Sequence, residues 1–206
     1  MITLPAATIK GLLRIAPKAE ARYYLNGIYF DPKGYAVVTD GKMILAVKCE
    51  KFAPSADTSV GAEGFIVPRD VLAAAIKGVK PRMVVTVTRS NVSVDHMELA
   101  YTPIDGRFPD WRRAVPTACT GEVAHYDSQL TDVLREAFED IDAPSKVRAY
   151  VSIAMNGTRG GVVRTGPDKL AVVMPFRVSE FDAAAHVAKF LGIEAPAQSE
   201  VDTATA

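Results

Sequence analysis

Cationic side chains at helical spacing are the clearest candidates for chemistry in this sequence. Lys10 and Arg14 stand four residues apart, and Arg69, Lys77, Lys80 and Arg82 recur in a second segment. Four residues is about one helical turn, so Lys10 and Arg14 share a face. Arg69, Lys77 and Lys80 fall together on one face of the second segment. Cations arrayed in this way hold phosphates by charge, without reading bases. A solvated helix face gives the same pattern.

Other chemistries lack their residues. No GxGxxG or GxxxxGK[ST] loop is present, and Gly157, Gly160 and Gly161 read as hairpin turns between strand-like runs. His96, His125 and His186 are dispersed, with no metal-ligand spacing. There is no GxSxG, and Glu139-Asp140 lies on a solvated helix face. Cys49 and Cys119 stand alone, which excludes a disulfide framework and a Cys-rich zinc site. The expectation is a binding protein rather than an enzyme, with no cofactor and no metal.

The cations are positioned by an internal repeat. The segment from Ile2 (ITLPAATIKGLLRIAP) aligns with that from Phe65 (FIVPRDVLAAAIKGVKP) at an offset of 63. Each has a β-prone stretch, then Pro5 or Pro68, then a helical apolar stripe. Ile9, Leu12, Leu13 and Ala16 form the first stripe; Leu72, Ala75, Ile76 and Val79 form the second. Pro17 and Pro81 end the two patterns. Strand-like runs follow: LNGIYF, GYAVVTD and MILAVKCE, then MVVTVTR, NVSVDHMEL and AYTPIDG. A weaker third copy carries Leu130, Val133, Leu134 and Ala137, with Asp127 or Ser128 as N-cap, and then VRAYVSIAM, GGVVRTG and KLAVVMPF. Its polar face is acidic, through Asp132, Glu136, Glu139 and Asp140. The fold class is therefore α+β, built of repeated β-α-β-β-β units with helices on one face of antiparallel sheets.

The chain has 206 residues, ordinary globular composition and zero net charge. Residues 1–116 hold 16 Lys and Arg against 11 Asp and Glu; residues 117–206 hold 8 against 13. A basic front half suits a polyanionic partner. No apolar run approaches the roughly 18 residues of a membrane span, and no signal peptide is visible, so a cytoplasmic location is expected. SEFDAAAHVAKFLGI reads as a short helix with Ser179 as N-cap and Phe181 on its apolar face. The small, acidic residues from Glu194 read as disordered.

Several segments together carry a family signature: ARYYLNGIYF, VVTDGKMILAV, IVPRDVL, PIDGRFPDWRRAVP and AVVMPFR. They resemble the bacterial DNA polymerase III β subunit, the sliding clamp. The resemblance implies a clamp-like domain over 1–116, with units 1–49 and 64–116, matching that family's middle domain. It implies a half-domain over 117–178 matching the end of its last domain, and an added segment over 179–206. It also implies a form without the family's first domain.

The resemblance further implies partners and sites. A clamp encircles duplex DNA and tethers a DNA polymerase as a processivity factor for replication; a clamp loader is a possible further partner. The family's DNA-approaching loop falls at Arg22, Tyr23 and Tyr24. Its pocket for short client peptides rich in Gln, Leu and Phe falls at Leu25, Thr39, Gly41, Lys42, Met43, Leu45, Pro109, Arg113, Ala114, Val172, Val173, Met174, Pro175, Phe176 and Arg177. The family's His-Arg-Leu after Thr-Asp-Gly is replaced by Lys42-Met43-Ile44-Leu45, read as one residue longer. Counting twelve units per ring gives a homo-oligomer of three or four chains; a monomer is the other outcome. The alternative function is a non-encircling module that binds clamp clients and competes with a host clamp.

Overall fold

The computed structural model describes residues 1–49, 51–52, 64–142, 151–177 and 183–192. Ser179, Phe181 and the acidic segment from Glu194 lie outside the described residues.

Strand β1 (Ile2–Pro5) leads directly into helix α1 (Ala6–Ile15). Pro5 stands just before the helix with φ −62°, where a proline needs no amide partner. The first helical amides are taken by another part of the chain: Ala6 donates to the Met83 carbonyl at 2.8 Å and Ala7 to that of Pro81 at 3.0 Å. Within α1 only Lys10 and Arg14 are exposed; Ile9 and Leu12 are fully buried. Strands β2 (Gly27–Asp31), β3 (Tyr35–Thr39), β4 (Met43–Lys48) and the short β5 (Lys51–Phe52) follow.

The second unit repeats this order as β6 (Phe65–Pro68), α2 (Arg69–Ala75), β7 (Val84–Val87), β8 (Asn91–Val94) and β9 (Met97–Ala100). Two expectations are corrected here. The apolar stripe of α2 runs on to Val79, but the helix stops at Ala75 and Gly78 takes φ +76°, so Lys77 and Lys80 lie in a turn beyond it. The last two strands both lie within NVSVDHMELA, split by a tight turn with Asp95 at φ +54°, and AYTPIDG begins a connector.

Each of these units lends its first strand to the other's sheet. β1 pairs with β7 (Ile2 opposite Val87), and β6 with β2 (Phe30 opposite Phe65, rings 5.5 Å apart). The third unit has helix α3 (Ser128–Asp142), whose Gln129 amide donates to the Asp127 carboxylate at 2.9 Å. Its strands are β10 (Ile153–Ala154), β11 (Gly161–Val163) and β12 (Lys169–Val173). β12 pairs antiparallel with β4, giving a seven-stranded sheet ordered β10-β11-β12-β4-β3-β2-β6. The other sheet is five-stranded, β5-β1-β7-β8-β9.

One core joins the helices to both sheets, with Ile9, Leu12, Leu72, Leu134 and Leu45 fully buried in it. Residues Met1–Phe176 form one compact unit. A second unit, from Arg177 onward, contains helix α4 (Ala183–Leu191). Among the described residues no helix is long and apolar enough to cross a membrane.

Candidate peptide cleft and nucleic-acid surface

A cleft of about 210 Å³ opens on the outer face of the seven-stranded sheet. Strand alternation decides which residues reach it. Along β4, Met43, Leu45 and Val47 turn to the main core, while Ile44 and Ala46 turn outward. Along β12, Ala171 and Val173 turn inward and Val172 turns outward. Ile44, Val172 and Leu25 supply the apolar wall, and Met43 and Met174 also line the cleft.

The β3–β4 hairpin closes one side. The Asp40 carboxylate accepts the Lys42 and Met43 amides at 2.8 Å each, and the Thr39 hydroxyl donates to the Met43 carbonyl at 2.6 Å. Gly41 takes φ +89°, and a Cβ there would lie 2.6 Å from the Arg22 guanidinium. Arg22 is thereby held against the cleft, with its Nε 3.3 Å from Glu20.

The connector closes the other side with Pro109, Asp110, Trp111 and Ala114. It lies over a second apolar cluster containing Ile66, Phe108, Trp111 and Val172. Asp31, buried at the end of β2, is its anchor. Arg112 donates to both Asp31 oxygens, at 2.7 and 3.1 Å, and the Trp111 indole donates at 3.3 Å. Burial opposes charge on Asp31, but Arg112, the Lys33 amide and Trp111 outweigh it and hold its carboxyl below the usual range. The Arg112 guanidinium also lies 4.4 Å from the Trp111 ring centre. Phe108 stacks on Tyr29 at 4.7 Å.

The structure thus brings together Leu25, Thr39, Gly41, Lys42, Met43, Pro109, Ala114, Val172 and Met174 from the residues expected for the pocket. Leu45 and Val173 are corrected: both are fully buried in the main core, because a one-residue shift along a strand reverses the face. Ile44 takes the place expected for Leu45, with Thr39 directly opposite it in the hairpin. Arg113 points to solvent, and neither it nor Pro175 lines the cleft. Phe176 is 60% exposed, its amide donating to the His125 carbonyl. Arg177 is the first residue of the second compact unit. Arg22, expected in the DNA-approaching loop, lines the cleft, and Ile44, Asp110 and Trp111 were missed. The motif IDGRFPDWRR contained two of them, and the alternation of β4 would have found Ile44.

No protein-family model matches the sequence. The β sliding clamp of Salmonella typhimurium is 31% identical over 166 residues, 73% of this chain and 43% of the relative. A solved Caulobacter crescentus polymerase III β chain superposes with TM-score 0.57 at 20% identity, covering 86% of this chain and 65% of that one. A Pseudomonas aeruginosa sliding clamp gives 0.59 at 16%, covering 85% and 66%.

The chain is a relative of the bacterial β sliding clamps. It spans less than half the length of the curated clamp cited, and it has the clamp fold.

The cations expected to face DNA in this clamp relative meet different surroundings. Lys10 lies 2.7 Å from Asp140; Arg14 lies 2.7 Å from both Asp140 and Glu136. Desolvation works against charge on Asp140, but Lys10 and Arg14 outweigh it and hold its carboxyl low. The hydrogen bond to Asp140 raises Arg14. The acidic face of α3 is therefore the partner of the basic face of α1. Arg69 leaves its expected face as well: its guanidinium donates to the Leu13 and Ala16 carbonyls and caps the C-terminal end of α1. Lys77, Lys80 and Arg82 are exposed and form no ion pair among the described residues. Tyr23 is 57% exposed and meets Tyr24 edge to face at 5.7 Å. Asn26 locks the loop before them, bonding both the amide and the carbonyl of Glu20.

Proposed function

We propose that the chain works as a clamp-type replication factor that takes short peptide segments of a DNA polymerase and other replication proteins into the cleft. It holds duplex DNA by phosphate contacts and performs no bond-making. Residues 1–116 act as the clamp-like domain, and 117–178 as the half-domain that completes the cleft. Lys77, Lys80 and Arg82 are the phosphate contacts, and Tyr23 and Tyr24 are the further residues that approach DNA. The observation that carries the reading is an apolar slot, walled by Leu25, Ile44 and Val172, at the place the clamp resemblance assigns to client peptides.

A fluorescent peptide with Gln, Leu and Phe anchors tests it by anisotropy. Ile44→Ala and Met174→Ala should each weaken binding by about tenfold, and Arg113→Ala and Phe176→Ala by less than about twofold. No binding to the unaltered chain, or equal effects of all four, would overturn the reading. The alternative is a non-encircling module that binds clamp clients and competes with a host clamp. Retention on circular DNA that is lost on linearisation separates the two: only an encircling clamp behaves that way.

A further inference from the structure

The two sides of the cleft carry charge of opposite sign. Lys42 lines it from the β3–β4 hairpin, and Asp110 lines it from the connector. Both residues are exposed, and neither forms an ion pair among the described residues. The charges around them are already committed. Arg22 has its Nε 3.3 Å from Glu20. The Asp40 carboxylate is taken by the Lys42 and Met43 amides. Arg112 is bonded to both Asp31 oxygens. Lys42 and Asp110 are thus a cation and an anion on opposite sides of an apolar slot, each without a counter-charge among the described residues.

The backbone fixes where both side chains start. The Lys42 carbonyl accepts the Met174 amide at 2.8 Å, and its own amide is bound by Asp40. Asp110 stands just before the single helical turn Trp111–Ala114, and its carbonyl accepts the Arg113 amide at 3.2 Å. Its side chain makes no capping bond to that turn, so the carboxylate is available to a ligand.

A peptide seated on the apolar wall lies between these two charges. We propose that the cleft selects its peptides by charge order: an acidic residue on the hairpin side of the apolar anchors, against Lys42, and a basic residue on the connector side, against Asp110. The inference rests on the proposed peptide-binding function and adds to it which peptides are taken and which way round they lie. One exposed ion pair changes affinity only a fewfold. Exchanging the two peptide charges turns two attractions into two repulsions, so the order matters more than either pair alone. Turning the peptide round would not recover the loss, because it would misplace the anchors. The apolar wall supplies the affinity, and the opposed charges supply the discrimination.

Three fluorescent peptides with the same Gln, Leu and Phe anchors test the proposal by anisotropy on the full chain. One has Asp before the anchors and Lys after them, one has the two exchanged, and one has Asn and Gln in their places. The two charged orders should differ in affinity by about tenfold. The double variant Lys42→Asp with Asp110→Lys keeps the net charge and should invert the preference. Lys42→Gln and Asp110→Asn, each removing one charge, should each reduce the difference to about threefold, and they decide the matter if the double variant fails to fold. Equal binding of the two orders, a preference that keeps its direction in the double variant, or single variants that leave it at full size would each overturn the inference. The proposed function would survive those results as long as the uncharged peptide binds. Binding of none of the three peptides would overturn that function and the inference with it.

Discussion

α1 and α2 are equivalent elements of the repeat, and their cations meet different neighbours. Lys10 and Arg14 sit against Glu136 and Asp140 of α3. Lys77, Lys80 and Arg82 sit past the end of α2 with no ion-pair partner among the described residues. The units share a strand, a proline and an apolar phase, so the difference comes from what packs beside them. α3 lies on α1, and Gly11 marks their closest approach: a Cβ there would stand 2.5 Å from the Ala137 carbonyl oxygen and from Ile141. The aligned residue in α2 is Ala74, which is exposed. Basic periodicity identifies a charged helix face, and the neighbouring element decides whether that face meets solvent or protein.

The largest effect should come from filling the α1–α3 contact. Gly11→Val pushes a branched side chain into backbone and should cost about 3 kcal/mol by denaturant unfolding. Ala74→Val, at the equivalent place in α2, should cost about 0.5 kcal/mol through helix propensity alone. Equal losses would remove α3 from the explanation.

The next contrast concerns the cations themselves. Replacing Lys77, Lys80 and Arg82 together by Ala should weaken duplex DNA binding by about thirtyfold and reduce the salt slope by about 2 to 3. Lys10→Ala with Arg14→Ala should change affinity by less than about twofold, because α3 already supplies their counter-charge. If the α1 pair matters more, DNA displaces α3 from it. That outcome would reverse the comparison.

Much of this was legible in the sequence. The helical phase of α1 and α3, the repeat and the α+β class follow from local periodicity, which depends on residues within two turns. The wall of the cleft was less legible, because it turns on which face of β4 is outward; a shift of one residue exchanges Ile44 for Leu45. The ion pairs of α1 are harder still, since Arg14 and Asp140 are 126 residues apart in sequence. Yet a signal was present: Glu136 and Asp140 have the same four-residue spacing as Lys10 and Arg14, with opposite sign. The short α2 was hidden because an apolar stripe can outlast its helix when a glycine turns the chain.

A smaller effect tests the other way in which a unit-two cation differs from its expected role. Arg69 belongs to unit two but caps α1, bonding the Leu13 and Ala16 carbonyls. Arg69→Ala should cost about 1 kcal/mol of stability and leave DNA affinity within about twofold. A loss of DNA affinity without a loss of stability would return Arg69 to the phosphate-binding set.

The smallest effect is carried by pH. Asp140 is held low in the folded chain by Lys10 and Arg14 against the cost of burial. A carboxylate lowered on folding adds stability above its unfolded value, and that stability disappears as pH falls through the folded value. Lys10 and Arg14 are well exposed, so the pair screens into water and its worth is about 1 kcal/mol or less. Asp140→Asn should therefore be less stable than the unaltered chain at neutral pH by about that amount, and the two should converge as pH drops below about 4. Urea midpoints across that range measure it. Curves that stay parallel would mean the α1–α3 contact is held by packing at Gly11 alone. The acidic face of α3 would then occupy the α1 cations without contributing to the fold.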